Sequence, residues 1–164
     1  MHAIQTVIDG TITGRAIVPV AGIQAMTAID FPNRLAAVLF LKGCPWQCRY
    51  CHNAAIRNSD NGDVLPWERV ERFLSDRAGF LDGIAVSGGE PTMHQTLPEF
   101  LRLLRLLGYA VALHTNGYFP ARLSSILRTG LVEYVAMDVK AAPAQYDRIT
   151  GVPNSSVEVA RSID

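Results

Sequence analysis

From Asp30 onward, short apolar runs alternate with amphipathic segments, and this alternation constrains the fold more than any other feature. Runs of strand length occupy four stretches: Leu35–Leu41, Gly83–Val86, Tyr109–Leu113 and Val132–Val139. Buried strands that alternate with helices indicate a parallel sheet with right-handed crossovers. A closed barrel needs about eight such units. The sequence therefore predicts an α/β fold that is either a partial (βα) barrel or an open sheet.

Apolar residues at helical spacing predict the helices between these strands. The predicted helices are Pro66–Ala78, Thr96–Leu107, Ala121–Arg128 and a fourth that begins at Ser155 or Ser156. Thr96 and Glu99 have the spacing of a capping box, so Thr96 is expected to cap its helix. The chain ends at Asp164 as the last helix begins, so we expect a core that is truncated at its C-terminus.

The first residues do not follow this pattern. Residues 1–20 are predicted to be an N-terminal appendage in which Thr6–Ile12 and Ala16–Val20 are candidate strands of a short hairpin. Residues 21–164 are predicted to form one domain. Acidic and basic residues balance at 15 each and form no basic stripe, so we expect no nucleic-acid partner. No apolar run is long enough to span a bilayer and no secretion signal is present, so no membrane association is expected.

The three cysteines of the chain, Cys44, Cys48 and Cys51, all lie within one short loop. This crowding does not fit a disulfide framework and favours a reducing, cytoplasmic location. Three thiolates could hold an iron–sulfur cluster and leave one iron without a protein ligand. The alternative is structural zinc with His52 as a fourth ligand. Adjacent residues such as Cys51 and His52 rarely bind the same ion, and the ligands of structural zinc usually form two separated pairs. The spacing of the cysteines therefore favours the iron–sulfur cluster.

Polar residues follow each predicted strand at its carboxyl end, where the sites of parallel α/β folds lie. The cysteine loop follows the first strand, and the other groups are Gly88-Gly89-Glu90-Pro91, His114-Thr115-Asn116-Gly117, and Asp138 with Lys140. Each has two interpretations. The glycines form a tight turn or let the backbone approach a ligand. His114 is a satisfied histidine or a site residue, and Asn116-Gly117 is first a turn dipeptide. Asp138 and Lys140 form a simple ion pair or a buried pair that faces a ligand. Tyr50 packs in its loop or stacks on a nucleobase.

These residues resemble a known family. The spacing Cys44-x3-Cys48-x2-Cys51, with Tyr50 before the last cysteine, resembles the pattern of radical S-adenosylmethionine (SAM) enzymes. Gly88-Gly89-Glu90-Pro91 is similar to the second motif of that superfamily. The run 30–38, together with Cys51-His52-Asn53, is similar to glycyl-radical enzyme activases. Within that group the chain most resembles the activating proteins of anaerobic ribonucleoside-triphosphate reductase. The resemblance covers roughly residues 20–164 and implies a partial barrel of the radical SAM type.

The resemblance also implies the cofactors and their ligands. Cys44, Cys48 and Cys51 would hold a 4Fe-4S cluster whose open iron SAM chelates. The implied SAM-binding residues are Gly88, Gly89 and Glu90 for the amino group, Tyr50 and His52 for the adenosyl group, and Asp138, Val139 and Lys140. Thr115 and Asn116 are further candidates. A low-potential donor such as flavodoxin or ferredoxin would supply the electron that cleaves SAM. The 5′-deoxyadenosyl radical would then take a hydrogen atom from a glycine of the partner enzyme. No general acid or base is needed, so none is predicted.

The chain departs from the family at two positions. Related activases often have an acidic residue where His114 stands, and in some it helps bind a monovalent cation, so that cation site is not transferred. Asn33 replaces a common glycine. Relatives also draw SAM contacts from two further strands that follow the end of this chain. Two alternatives stay open: a radical SAM enzyme that acts on a small molecule or on another glycyl-radical enzyme, and a structural zinc-binding module.

Overall fold

A five-stranded sheet forms the framework of the computed structural model, which describes residues 18–58 and 63–164. Its strands are β1 (Val20–Thr27), β2 (Ala36–Leu41), β3 (Gly83–Gly88), β4 (Ala110–Thr115) and β5 (Tyr134–Met137). The strands lie in the sheet in chain order. The four strands from β2 to β5 are parallel, whereas β1 is antiparallel to β2. The predicted α/β fold with a parallel sheet is confirmed.

The helices connect the parallel strands. They are α1 (Ala54–Arg57), α2 (Trp67–Arg77), α3 (Leu97–Leu106), α4 (Pro120–Arg128), α5 (Tyr146–Thr150) and α6 (Ser155–Ile163), with 3₁₀ turns at Pro91–Met93 and Pro143–Gln145. The bounds of α2, α3 and α4 differ from prediction by no more than one residue at either end. The expected cap is wrong, because the Thr96 side chain makes no capping hydrogen bond and its backbone is not extended.

The two faces of the sheet carry side chains of different size. Leu39, Val86 and Leu113 belong to the larger core cluster, which α2, α3 and α4 cover with apolar side chains. Residues on the opposite face are mostly small, and Val38, Ala85 and Ala112 lie side by side in the strand register. Because alternate residues of a strand point to opposite faces, the sequence builds a core of large side chains beneath the helices on one face and a smaller buried cluster of mostly small side chains on the other.

Strand β1 was not predicted. Its residues alternate poorly between apolar and polar, and its register with β2 shifts between Val20 and Gly22 and between Gln24 and Thr27. Such irregularities are typical of edge strands and weaken the period of two on which prediction depends. The hairpin predicted from Thr6–Ile12 and Ala16–Val20 lies outside the described residues, apart from residues 18–20, of which only Val20 lies in a strand. Among the described helices, none has the length and apolar character needed to span a membrane.

Candidate active site

A cavity of about 360 Å³ opens at the carboxyl ends of the parallel strands. Its wall contains residues from all four polar groups that follow the predicted strands. The lining includes Cys44, Cys48, Cys51, Tyr50, His52, Gly88, Gly89, His114, Thr115, Asn116, Asp138 and Lys140. Two residues of the predicted SAM site, Glu90 and Val139, do not line it. The parallel topology brings together residues that are almost a hundred positions apart, as the strand-end argument requires.

Backbone hydrogen bonds fix the cysteine loop on two sides. The Cys44 N–H donates to the Arg57 carbonyl over 2.9 Å, and the Gln47 N–H donates to the Thr150 carbonyl over 2.6 Å. The Arg57 guanidinium donates to the Cys48 carbonyl over 3.1 Å. The loop is therefore held between α1 and the end of α5, neither of which was predicted.

The three thiols are free and lie at different depths: Cys48 is buried, while Cys44 and Cys51 are partly exposed. Burial raises the pKa of the Cys44 thiol to about 11, against the opposing effect of the Trp46 backbone N–H. Burial also raises the pKa of Cys48, and the Lys140 charge acts in the opposite direction. Within residues 18–58 and 63–164, no three His, Cys, Asp or Glu side chains are grouped so as to hold a metal ion.

Gly88 and Gly89 pack their backbone directly against the strand and loop that lead to the cysteines. A Cβ on Gly89 would lie 1.9 Å from the Gly43 carbonyl oxygen and 3.2 Å from Cys44 Cβ. A Cβ on Gly88, whose φ is +129°, would lie 2.2 Å from the Leu41 carbonyl oxygen. Only glycine permits this approach without displacing backbone. The two glycines therefore bring the second motif against the cysteine loop, and they also line the cavity.

The Glu90 side chain is fully buried and does not face the cavity. Its carboxylate accepts hydrogen bonds from the Asn116 N–H over 2.6 Å, the Thr115 hydroxyl over 2.7 Å, and the N–H and hydroxyl of Thr92. Burial raises the pKa of Glu90, and these hydrogen bonds oppose that shift. The side chain links the turn after β3 to the end of β4, so contact between Glu90 and a cavity ligand is left to its backbone.

Trp46 has a buried polar atom without a partner. Its indole is 1 % exposed and packs edge-on against Tyr118 and Tyr146. Its Nε1–H has no hydrogen-bond partner among the described residues, and the side chain lines the cavity. Most buried donors in native structures are paired, so an unpaired one distinguishes this part of the cavity wall. Trp46 was not singled out in the sequence, although a tryptophan between two cysteines was an available signal.

Asp138 and Lys140 form an ion pair with each other beyond the end of β5. The expectation of a buried pair is wrong, because the Asp138 side chain is 70 % exposed and only Lys140 is largely covered. Partial burial works to lower the pKa of Lys140, but the hydrogen bond and charge of Asp138 outweigh it and raise the pKa. Lys140 therefore keeps its positive charge beside the cavity at neutral pH.

Tyr50 and His114 each make a hydrogen bond within the fold and also line the cavity. The Tyr50 ring is half exposed, lines the cavity and donates weakly through its hydroxyl to the Lys140 carbonyl over 3.4 Å. His114 Nε2 lies 2.8 Å from the Asp30 carbonyl oxygen, yet the ring also lines the cavity. His52 is exposed at the rim, and Val139 is exposed outside the cavity.

Asn53, Arg57 and Ser87 also line the cavity and were missed as site residues. The Asn53 side-chain amide donates to the Gly88 carbonyl over 3.3 Å, which ties the residue after His52 to the glycine pair. Ser87 lies on the same face of β3 as Ala85, so its position followed from the strand period once the strand end was known. Arg57 carried no signal, because α1 is too short to show a helical pattern.

Comparison with protein families gives one model match that covers most of the chain. The model of the Radical SAM superfamily matches residues 38–164. A Methanocaldococcus jannaschii protein provisionally named a glycyl-radical enzyme activating enzyme is 32 % identical over 146 residues, covering 88 % of this chain and 59 % of that protein. The pyruvate formate-lyase-activating enzyme of Clostridium pasteurianum is 31 % identical over 137 residues, covering 79 % of this chain and 56 % of the relative. The chain thus spans little more than half the length of these curated relatives.

Solved structures resemble the fold at low sequence identity. The structure of TYW1 with a lysine-pyruvate adduct bound is 18 % identical and has a TM-score of 0.50, covering 79 % of this chain and 50 % of that one. The crystal structure of QueE from Escherichia coli is also 18 % identical, with a TM-score of 0.48, covering 62 % of this chain and 53 % of the other. At this identity the TYW1 likeness concerns the fold alone.

Proposed function

Because the chain belongs to the radical SAM superfamily, we propose that it activates a glycyl-radical enzyme and that this partner is an anaerobic ribonucleoside-triphosphate reductase. Members of the superfamily use a 4Fe-4S cluster and S-adenosylmethionine. The observation that carries the proposal is the position of the three cysteines: all line one cavity at the carboxyl ends of the parallel strands, together with Gly88 and Gly89.

The residues present supply the donor types that these two cofactors require, and binding the cluster would draw together three thiols that the described residues do not group for a metal ion. Thiolate sulfur is the ligand type that iron–sulfur clusters require, and Cys44, Cys48 and Cys51 supply three. The indole of Trp46, whose buried Nε1–H has no partner among the described residues, also lines the cavity. When bound, the cluster supplies the electron that cleaves SAM reductively to methionine and a 5′-deoxyadenosyl radical. The proposed SAM-binding residues are Gly88, Gly89, Glu90, Tyr50, His52, Asp138, Val139 and Lys140, with Thr115 and Asn116 as further candidates.

The side chains of the site then have definite tasks. Lys140, which stays positively charged, can attract the SAM carboxylate, and the Tyr50 ring offers its exposed face to the adenine. Glu90 can contribute only its backbone, because its carboxylate is occupied within the fold. In this scheme the protein binds, orients and shields, and the cofactors carry the bond-breaking chemistry.

The choice of partner has two sources of support. Relatives at 31–32 % identity carry names that refer to activation of glycyl-radical enzymes. One of them is named for pyruvate formate-lyase, which makes that enzyme the natural comparison. The run 30–38 and the Cys51-His52-Asn53 segment resemble glycyl-radical enzyme activases as a group, and the choice of the reductase within that group rests on the overall resemblance of the sequence. A flavodoxin or ferredoxin is the proposed electron donor.

The test begins with anaerobic reconstitution of the chain with iron and sulfide, followed by SAM and dithionite. We expect 5′-deoxyadenosine by chromatography, and a glycyl-radical signal by electron paramagnetic resonance (EPR) when the reductase is added. Cys48→Ser is the matched control, since it removes one ligand and should abolish both signals. Formation of the radical on pyruvate formate-lyase alone would overturn the choice of partner. One equivalent of zinc without iron after anaerobic purification would instead support the zinc-binding module.

A further inference from the structure

We propose that Asn116 donates a hydrogen bond to Cys44 Sγ and thereby raises the reduction potential of the cluster, with Glu90 holding Asn116 in place. This inference rests on the proposed function, because it concerns the cluster that the three cysteines would hold. Asn116 acts in it as a positioning and tuning residue and need not touch the substrate.

The orientation of the Asn116 amide is determined by its own hydrogen bonds. Its Oδ1 accepts the Tyr118 N–H over 2.9 Å, which directs Nδ2 the other way. Nδ2 then lies 3.7 Å from Cys44 Sγ, within the range of an N–H···S hydrogen bond. A flipped amide would place an oxygen against the sulfur and a second donor against the Tyr118 N–H. The donor therefore faces the cysteine.

Glu90 positions the backbone that carries this amide. Its Oε2 accepts the Asn116 N–H over 2.6 Å, and its Oε1 accepts the Thr115 hydroxyl over 2.7 Å. Thr115 Oγ1 in turn accepts the Gly117 N–H over 3.1 Å. Glu90 and Asn116 are 0 % and 6 % exposed, so the linkage is shielded from water. A buried, fully paired carboxylate holds its partners rigidly, because releasing any of them leaves a polar group unsatisfied.

The cysteine loop itself makes a second contact with Cys44. The Trp46 backbone N–H also hydrogen-bonds Cys44, and Gly89 brings the second motif to the same residue. Hydrogen bonds to the sulfurs of a cluster are one of the factors that set its potential. A donor stabilises the extra negative charge of the reduced form more than it stabilises the oxidised form. Removing the Asn116 donor should therefore make the cluster harder to reduce.

The experiment measures the midpoint potential of the reconstituted chain by an EPR-monitored redox titration. For Asn116→Leu, we expect the ratio of reduced to oxidised cluster at a fixed potential to fall about tenfold, which is about 59 mV for a one-electron couple. Asn33→Gly is the control, since Asn33 is exposed, does not line the cavity, and has a φ of +61° that glycine adopts without strain. Its potential should stay close to that of the parent protein.

A second measurement identifies the donor directly and does not depend on the folding of Asn116→Leu. In protein labelled with ¹⁵N at asparagine side chains, pulsed EPR of the reduced cluster should detect one coupled amide nitrogen. The coupling should persist in Asn53→Leu, because Asn53 is an asparagine of the cavity wall whose amide donates to the Gly88 carbonyl and not to a cysteine. An unchanged potential in Asn116→Leu that binds a full cluster, or no ¹⁵N coupling in the parent, overturns the inference alone. Failure of the parent to assemble any cluster overturns the proposed function instead.

Discussion

At the scale of single residues, Glu90 illustrates how a motif can be recognised while the task of its side chain is not. The sequence placed Glu90 beside a ligand because it follows two glycines at a strand end. In the structure its carboxylate is buried inside the protein, where it accepts hydrogen bonds from residues 115 and 116 and so joins the turn after β3 to the end of β4. The strand period cannot reveal this, because Glu90 lies past the end of β3, where alternation no longer fixes direction.

Cys44 gives a prediction about pH in the metal-free protein. Because burial raises its pKa to about 11, only about one thiol in a thousand is ionised at pH 8. We expect its alkylation by iodoacetamide, followed by mass spectrometry, to accelerate about tenfold per pH unit up to roughly pH 10. In protein unfolded by urea, the alkylation rate of the same cysteine should stop rising at a lower pH, just above the ordinary thiol pKa of about 8.5. A plateau at that pH in the folded protein would contradict the assigned burial.

The same shift affects stability with a definite sign. The folded protein keeps the Cys44 proton to about pH 11, whereas the unfolded chain releases it at lower pH. This contribution to the free energy of unfolding is therefore fully present below the unfolded pKa. It is lost as the pH rises through the folded one.

At the scale of elements, the regular helices and parallel strands followed from periodicity and the irregular elements did not. Strands β2, β3 and β4 are buried and apolar, and α3 turns Phe100, Leu103 and Leu104 inward as its spacing predicts. The short elements α1 and α5 hold the cysteine loop through backbone hydrogen bonds. Such bonds use groups that every residue carries, so no side-chain pattern records them.

The contact between the second motif and the cysteine loop gives a prediction at this scale. Gly89→Ala places a Cβ 1.9 Å from a backbone oxygen, so the loop must move. We expect a loss of about 2–4 kcal/mol in the free energy of unfolding by urea denaturation, and reduced iron incorporation. Gly22→Ala in β1 is the control, because its Cβ would meet only the Phe40 ring at 3.8 Å. Equal stability of the two variants would show that the loops are not packed together as described.

At the scale of the whole molecule, burial and strand pairing are greater at the centre of the sheet than at its β5 edge. Strand β3 pairs on both sides and is buried along most of its length, whereas β5 has four residues that are partly or fully exposed. Protection from hydrogen exchange follows burial and pairing. We expect amides of residues 84–86 to exchange at least about a hundredfold more slowly than those of residues 134–137, by mass spectrometry or NMR. Comparable protection of β5 would mean that this edge is covered in solution.

The sequence by itself determined the class of fold, the succession of parallel strands and helices along the chain, and the groups of residues at the strand ends. These follow from local periods of burial and from the rule that parallel strands open their sites on one edge. Only the tertiary structure decided which side chains enter the cavity and which hold its wall. Glu90 does not line the cavity, Trp46 does, and the side-chain amide of Asn116 donates a hydrogen bond to Cys44 Sγ. These outcomes depend on hydrogen bonds and close packing between segments distant in the chain, which no local pattern encodes.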